Sequence, residues 1–337
     1  MKRFRFAKKS INQSLWPIVR FFGFNPQQRS PKTKKDSFSN LIPNIGLNLN
    51  VMSFNIRRGT ARDGRNHWIY RRNLVHEILN QYRPDVLGLQ EALDFQISEI
   101  RAMLPGYEKV GIGNLGGCKG LHNTIFYDAS RFVLSEESTF WLSDAPDIPG
   151  SKGWGNIIPR ICTWVRLIEK KSQQAFYFYN THLDHISLRS RKKSVIFLTQ
   201  RIHTRHFPDS FVLTGDFNAR ERSAPIQYLK AKAPLKIKTE VKLLNPIPMM
   251  DTFRVRYPNK RNTATFHGFR RYFFRFKLDY IFVPPSVRVI DAKIIQLCWK
   301  KCYPSDHFPL LTNIDLPVNF ASSDSRSFSF FKDAMND

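Results

Sequence analysis

Acidic residues are scarce in this sequence. It carries 27 Asp and Glu against 53 Lys and Arg, a formal net charge of +26, and no acid precedes Asp36. Such a surface disfavours cationic partners and attracts polyanions: nucleic acid, anionic lipid head groups or phosphorylated substrates. Cysteine is sparse as well. Cys118, Cys162, Cys298 and Cys302 lack the close paired spacing of a zinc site or a disulfide framework, so all four read as free thiols in a reducing compartment. No apolar run reaches the ~20 residues of a membrane span. The N-terminus lacks the clean apolar stretch of a secretory signal, and the expected location is the cytoplasm.

What the chain does have is enough apolar residue for a large core: 42% hydrophobic and 14% aromatic over 337 residues. Residues 1–47 read as a basic tail, polar and unpatterned through QQRSPKTKKDSFSN. Within it Leu15 to Phe24 reads as a disordered basic stretch, as an anchor on anionic lipid or another polyanion, or as part of an organelle transit peptide. Residues 317–337 are Ser-rich and read as a frayed end. Residues 48–316 show no internal repeat and no long linker, so one domain, expected to be monomeric, is the simplest reading.

Strand and helix patterns mix within that domain. LNVMSFNI, DVLGLQ, GYEKVGIG, NTIFYD, FVLSEESTFWLS, ICTWVRLIE, AFYFYNTHL, FVLTGDF, KLDYIFV, VRVIDAKIIQ and FPLLTNI read as strands. Leu74, Val75, Ile78 and Leu79 predict a helix over Trp68–Tyr82 that ends before Pro84. Further helices are expected over Phe95–Leu104 and Leu188–Arg205. Many strands with few helices between neighbours imply mixed sheets packed face to face with helices outside.

Polar residues recur where apolar segments end. Asn55 interrupts SFNI, Glu91 follows VLGLQ, His182 follows YFYNT, Asp216 and Asn218 follow FVLTG, Asp279 precedes YIFV, and Asp306 and His307 precede FPLL. Singly, each has an ordinary structural explanation: a turn amide, a helix N-terminal acid, a hydrogen-bonded core histidine, an Asp paired with an Arg. Jointly those explanations must hold independently at six segment ends. If the ends converge, they assemble carboxylates, amides and two imidazoles. That donor set suits a hard divalent cation and phosphate oxygens, the requirements of phosphate-ester hydrolysis.

The ordered set SFNIR, GLQE, NTHLDH, TGDFNA, LDYIFV and YPSDHFPL resembles the endonuclease/exonuclease/phosphatase superfamily, the metal-dependent hydrolases related to DNase I. The resemblance runs from about Asn50 to Ile314. STFWLS, PGSKGW, PRICTW and TFHGF are similar to a bacterial branch grouped with carbon catabolite repressor-type proteins. The resemblance implies an α/β four-layered sandwich, two mixed β-sheets flanked by helices, and dependence on Mg²⁺ or Mn²⁺. It implies Glu91 as main metal ligand, with Asn55 and Asp306 beside it. Asp216 would orient or deprotonate the attacking water, and Asn218 and His182 would hold the scissile phosphate. His307 would contact phosphate, with Asp279 fixing its tautomer. Whether Asp216 or the Asp279–His307 pair is the base stays open. Arg160, His267, Arg270 and Arg271 are candidate substrate contacts.

The chain departs from that branch in two places. Leu121 and His122 stand in KGLHNTIFY where an acid is expected, and Gly268 to Lys277 is basic and aromatic where relatives tend to be Gly-rich. The second segment reads as a hairpin with its rings inward and Arg and Lys in water, ahead of base stacking or a membrane contact. Arg189, Arg191, Lys192 and Lys193 read as a solvated helix face. The expected function is a metal-dependent phosphodiesterase on nucleic acid, such as a 3′-end RNA exonuclease. The alternatives are a phosphatase or phosphodiesterase on a phosphoinositide, a sphingomyelin-like head group or a small phosphoester, and a non-catalytic polyanion-binding module. The completeness of the polar set argues against the last.

Overall fold

The computed structural model describes residues 46–236, 242–270, 276–299 and 302–317. The expected tails, apart from residues 46, 47 and 317, and the segment 271–275 with Arg271 lie outside the described residues. The strands are β1 (Leu47–Asn55), β2 (Val86–Gln90), β3 (Tyr107–Val110), β4 (Ile125–Asp128), β5 (Phe132–Trp141), β6 (Ile161–Glu169), β7 (Ala175–His182), β8 (Ser210–Asp216), β9 (Met250–Asp251), β10 (Asp279–Val283), β11 (Arg288–Ile294) and β12 (Leu310–Leu316). The α-helices are α1 (Trp68–Tyr82), α2 (Asp94–Met103), α3 (Leu188–His203), α4 (Ala224–Leu229) and α5 (Thr252–Arg256). The short elements α4, α5 and β9 carry too little periodicity to be read from sequence.

Two six-stranded sheets form, ordered β11-β12-β1-β2-β4-β3 and β5-β6-β7-β8-β10-β9. Each is mixed: β1 runs parallel to β2, and β7 to β8, while the other pairs are antiparallel. Side chains alternate between the two faces of a strand, which sorts the core into three. Leu49, Val51, Val86, Phe176, Phe178, Val212 and Ile281 fill the space between the sheets. Met52, Phe54, Leu87 and Leu89 face the other way, onto Val75, Ile78 and Leu79 of α1 and Ile97 and Ile100 of α2. Tyr177, Tyr179, Phe211, Leu213 and Phe282 face Val195, Leu198 and Ile202 of α3 and Ile226 and Leu229 of α4. Helices, sheet, sheet, helices: the expected four-layered sandwich is the observed one.

The inter-sheet face is graded from apolar to polar along each central strand. On β1 it reads Leu49, Val51, Ser53, Asn55; on β7, Phe176, Phe178, Asn180, His182; on β8, Val212, Thr214, Asp216; and on the reversed β10, Val283, Ile281, Asp279. All the polar ends therefore fall at one end of the sandwich. Beneath them a buried amide layer fastens the sheets. Gln90 Nε2 donates to Asn180 Oδ1 at 2.7 Å, and Asn180 Nδ2 donates to the carbonyls of Leu89 and Thr124 at 2.8 and 3.0 Å. Gly88 is needed here, since a Cβ would lie 2.7 Å from Thr214 Oγ1 and 2.8 Å from Asn180 Oδ1. Gly215 is needed for the same reason: its Cβ would lie 2.0 Å from the Thr181 carbonyl on the neighbouring strand.

Candidate active site

Strand register places the first group of side chains. On adjacent strands His182 is paired with Asp216, and Asp216 with Asp279, so three polar ends stand side by side. Asn55 comes from the opposite sheet, and its Nδ2 donates to Asp216 Oδ2 at 3.1 Å and to Glu91 Oε1 at 3.3 Å. Glu91 follows β2 with φ 60°, and Asn218 follows β8 with φ 46°. Left-handed backbone at a non-glycine residue costs ~1–3 kcal/mol and persists where surrounding structure over-determines it. Here it turns each side chain back over the strand ends.

The loop before β12 supplies the second group. His307 is fixed by an antiparallel bridge to Phe266, and Ser305 Oγ donates to the Asn55 carbonyl at 2.7 Å. His307 Nδ1 donates to Asp279 Oδ2 at 2.8 Å, and its Nε2 stands 3.6 Å from Asp216 Oδ2. Arg71 of α1 locks this loop to β1. Its guanidinium is buried and donates to the carbonyls of Ile56 (2.5 Å), Arg57 (2.8 Å), Asn66 (2.9 Å) and Pro304 (2.9 Å).

A cleft of about 480 Å³ opens over these groups. Glu91, His182, Asp216, Asn218, Asp306, His307 and Arg160 line it, with Arg57, Leu121, Ile158, Phe266 and Phe269 around them. Asn218 Nδ2 donates to the Leu183 carbonyl at 2.9 Å and lies 3.0 Å from His182 Nε2. Arg160 is held by Asp184 (Nε to Oδ2, 3.4 Å) and lies 2.9 Å from His185 Nδ1. Eight of the expected site residues thus converge as the sequence suggests, with Arg160 on the same wall.

Two expected substrate contacts stand elsewhere. His267 does not line the cleft; it is buried, stacked on Phe308 with centroids 4.2 Å apart and against Tyr303 at 4.4 Å. Arg270 is exposed and is not among the lining residues, although it directly follows Gly268 and Phe269, which are. Lys277 also departs from the expected solvated position: it is buried, with Nζ 2.6 Å from Asp251 Oδ2. In the α3 run, Arg191 is turned in to the Asp184 carbonyl at 2.7 Å, while Arg189 faces water. Arg57, Arg71 and the Asn180 layer were not expected as site residues. Arg71 left a legible signal, since it falls on the apolar face of α1 at helical spacing from Leu74, Val75 and Ile78.

The electrostatics follow from crowding acids in a buried place. Burial raises the Asp216 pKa to about 7, helped by the charge of Asp279 and opposed by His307. Burial also raises Asp306, opposed by His307 and helped by Glu91. Burial alone would lower His307, but Asp279 and Asp216 outweigh it and lift its pKa to about 10. Burial, with Arg160 and His307 nearby, pushes His182 well below the usual imidazole range, so it is neutral. Crowded acids held above their usual pKa values mark a place where a cation is favoured.

Two groups of donors could receive one. Asp216, Asp279 and His307 bring ligand atoms within 4.8 Å of one another. There His307 Nδ1 already donates to Asp279 Oδ2 at 2.8 Å, so those two groups are engaged with each other. Glu91 and Asp306, both on the cleft, offer oxygen donors only, the set a hard divalent cation takes. Asn55 sits beside them differently from the expectation. Its Nδ2 bridges Glu91 and Asp216, and its oxygen accepts from the Arg57 N–H at 3.0 Å.

The sequence profile described as "Endonuclease/Exonuclease/phosphatase family" matches residues 52–307, which include all of these groups. The chain belongs to the endonuclease/exonuclease/phosphatase family. Members of this family hydrolyse phosphate esters and are generally dependent on divalent metal. An uncharacterised protein of Acanthamoeba polyphaga mimivirus is 31% identical over 185 residues, 52% of this chain and 68% of that one. Among solved structures, a family member from Bacteroides vulgatus is 29% identical, with a TM-score of 0.71, over 80% of this chain and 100% of that one. A mannosyl-6-phosphatase of Bacteroides thetaiotaomicron is 29% identical, with a TM-score of 0.69, over 79% and 99%.

Proposed function

We propose that this member of the family is a Mg²⁺- or Mn²⁺-dependent phosphodiesterase acting on nucleic acid. The observation that carries the hydrolytic reading is the convergence of Glu91, Asp216, Asp306 and the Asp279–His307 pair on one cleft. Glu91 and Asp306 would hold the metal, which when bound supplies positive charge against the phosphate oxygens. Asp216 Oδ2, facing both Asn55 Nδ2 and His307 Nε2, orients the attacking water and takes its proton. His307, steered by Asp279, donates from Nε2 toward the phosphate, and Asn218 and His182 complete the cradle. Arg160, held by Asp184, adds charge beside His182.

The formal charge of +26 supports a polyanionic substrate. The likeness to a mannosyl-6-phosphatase favours a second reading, a phosphomonoesterase on a small molecule. Both are tested by one panel with purified protein and Mg²⁺ or Mn²⁺: single-stranded RNA, single- and double-stranded DNA, mannose 6-phosphate, a phosphoinositide and bis(p-nitrophenyl) phosphate, with Asp216→Ala as control. Cleavage of nucleic acid, reduced ~10²–10⁴-fold in the control, is the expected outcome. Release of phosphate from mannose 6-phosphate alone would replace the first reading with the second. Equal activity in wild type and control would overturn the assignment of Asp216.

A further inference from the structure

Beside the cleft lies a second cavity of about 520 Å³, lined by Arg220, Arg222, Thr263, Phe276 and Lys277 among others. The two share a wall. Phe266 and Leu278 face the cleft, whereas Phe276, bridged antiparallel to Phe266, and Lys277 face the second cavity. Arg220 is two residues beyond Asn218, so their Cα atoms lie within about 7 Å.

The charges in this cavity fall into two groups. Lys277 is paired with Asp251 at 2.6 Å, and Glu221 accepts from Arg254 Nε and Nη2 at 2.6 and 2.7 Å. Among the described residues Arg220 and Arg222 form no ion pair, so two positive charges are left over. Arg220 is also preorganised: its guanidinium carbon sits 3.6 Å from the centroid of the Phe276 ring. A guanidinium laid flat on a ring keeps its N–H edge free in the plane, and that fork matches two phosphate oxygens at once. Thr263 adds a hydroxyl at the wall.

We propose that this cavity binds a second phosphate group of the substrate, one position away from the phosphate that is hydrolysed. The proposal deepens the phosphoesterase reading and rests on it. It assigns the protein a substrate with at least two phosphates. These are either successive phosphodiesters of an oligonucleotide or two phosphates on one small molecule.

Binding in EDTA tests the subsite without needing turnover. The probes are two matched pairs: trithymidylate (TpTpT, two phosphodiesters) against the p-nitrophenyl ester of thymidine 5′-monophosphate (one), and fructose 1,6-bisphosphate against fructose 6-phosphate. Wild type should bind the two-phosphate member of one pair at least ~10-fold more tightly, and the pair that shows it identifies the source. Arg220→Gln with Arg222→Gln should abolish that preference with an unchanged thermal midpoint. Phe276→Leu, which removes the stacked ring but no charge, should reduce it. No preference in wild type for either pair, or a preference that survives the double substitution, overturns the proposal. A preference lost on substitution, in a protein that hydrolyses no phosphoester with Mg²⁺ or Mn²⁺, would keep the subsite and reject the hydrolytic reading.

Discussion

Replacing Arg71 with Met tests whether the catalytic loop is held in place from below. The guanidinium serves four carbonyls, and the bonds to Ile56 and Pro304 are fully buried. Burial lowers its pKa to about 10, against the pull of Asp306 and Asp63, so it stays charged at neutral pH. Methionine fills much of the volume but donates nothing. A buried acceptor left unpaired costs ~1–3 kcal/mol. With two such carbonyls and two partly buried ones, the expected loss is about 3–5 kcal/mol, a large share of the ~5–15 kcal/mol of a typical domain. Urea denaturation followed by far-UV circular dichroism would show the midpoint falling by roughly 1–2 M. The same carbonyls tie the end of β1, with Asn55, to the loop carrying Asp306 and His307. A misplacement of ~1 Å there is expected to lower kcat about 10²-fold in protein that is still folded. Arg71→Lys keeps the charge but not the fork, and should fall between. A stability loss under ~1 kcal/mol refutes the energetic reasoning. A large loss with kcat unchanged refutes the positioning role.

Glu91→Gln should raise the Mg²⁺ or Mn²⁺ concentration needed for half-maximal activity, and an unchanged metal titration would remove Glu91 from the ligand set. Lys277→Met should destabilise by about 3–5 kcal/mol because it leaves Asp251 buried and unpaired. Adding Asp251→Asn, which keeps the acceptor for the Phe253 N–H, should recover part of that loss in urea denaturation; no recovery would mean the pair is not coupled. His307 holds its proton to about pH 10 when folded and releases it near 6.5 when unfolded. The folded state therefore binds more protons in that window, and stability falls as pH rises through it, by at most ~1.4 kcal/mol per unit. In metal-free buffer this slope should shrink in His307→Gln, and an identical slope would contradict the buried imidazolium.

The sequence by itself determined the layers and pointed to the eight polar strand-end residues that the fold brings together. Helical spacing in Trp68–Tyr82 and the apolar runs that end in polar residues in SFNI, YFYNTH and FVLTGD are local properties, so the elements and their polar ends can be read without partners. What lies between residues far apart in the chain could not be read that way. Asn55 meets Asp216 across 161 positions because the two sheets stack, and Ser305 meets Asn55 across 250 because β12 pairs with β1. Stacking made Asn55 a bridge between two acids, while the packing of α1 on the first sheet set Arg71 beneath the loop. His267 and Lys277 show the reverse case. Their types suggest contact with phosphate, but an aromatic stack and a buried carboxylate claim them first. Which partner a polar side chain finds depends on what the fold brings within about 3 Å of it, and the sequence specifies that only through the tertiary structure.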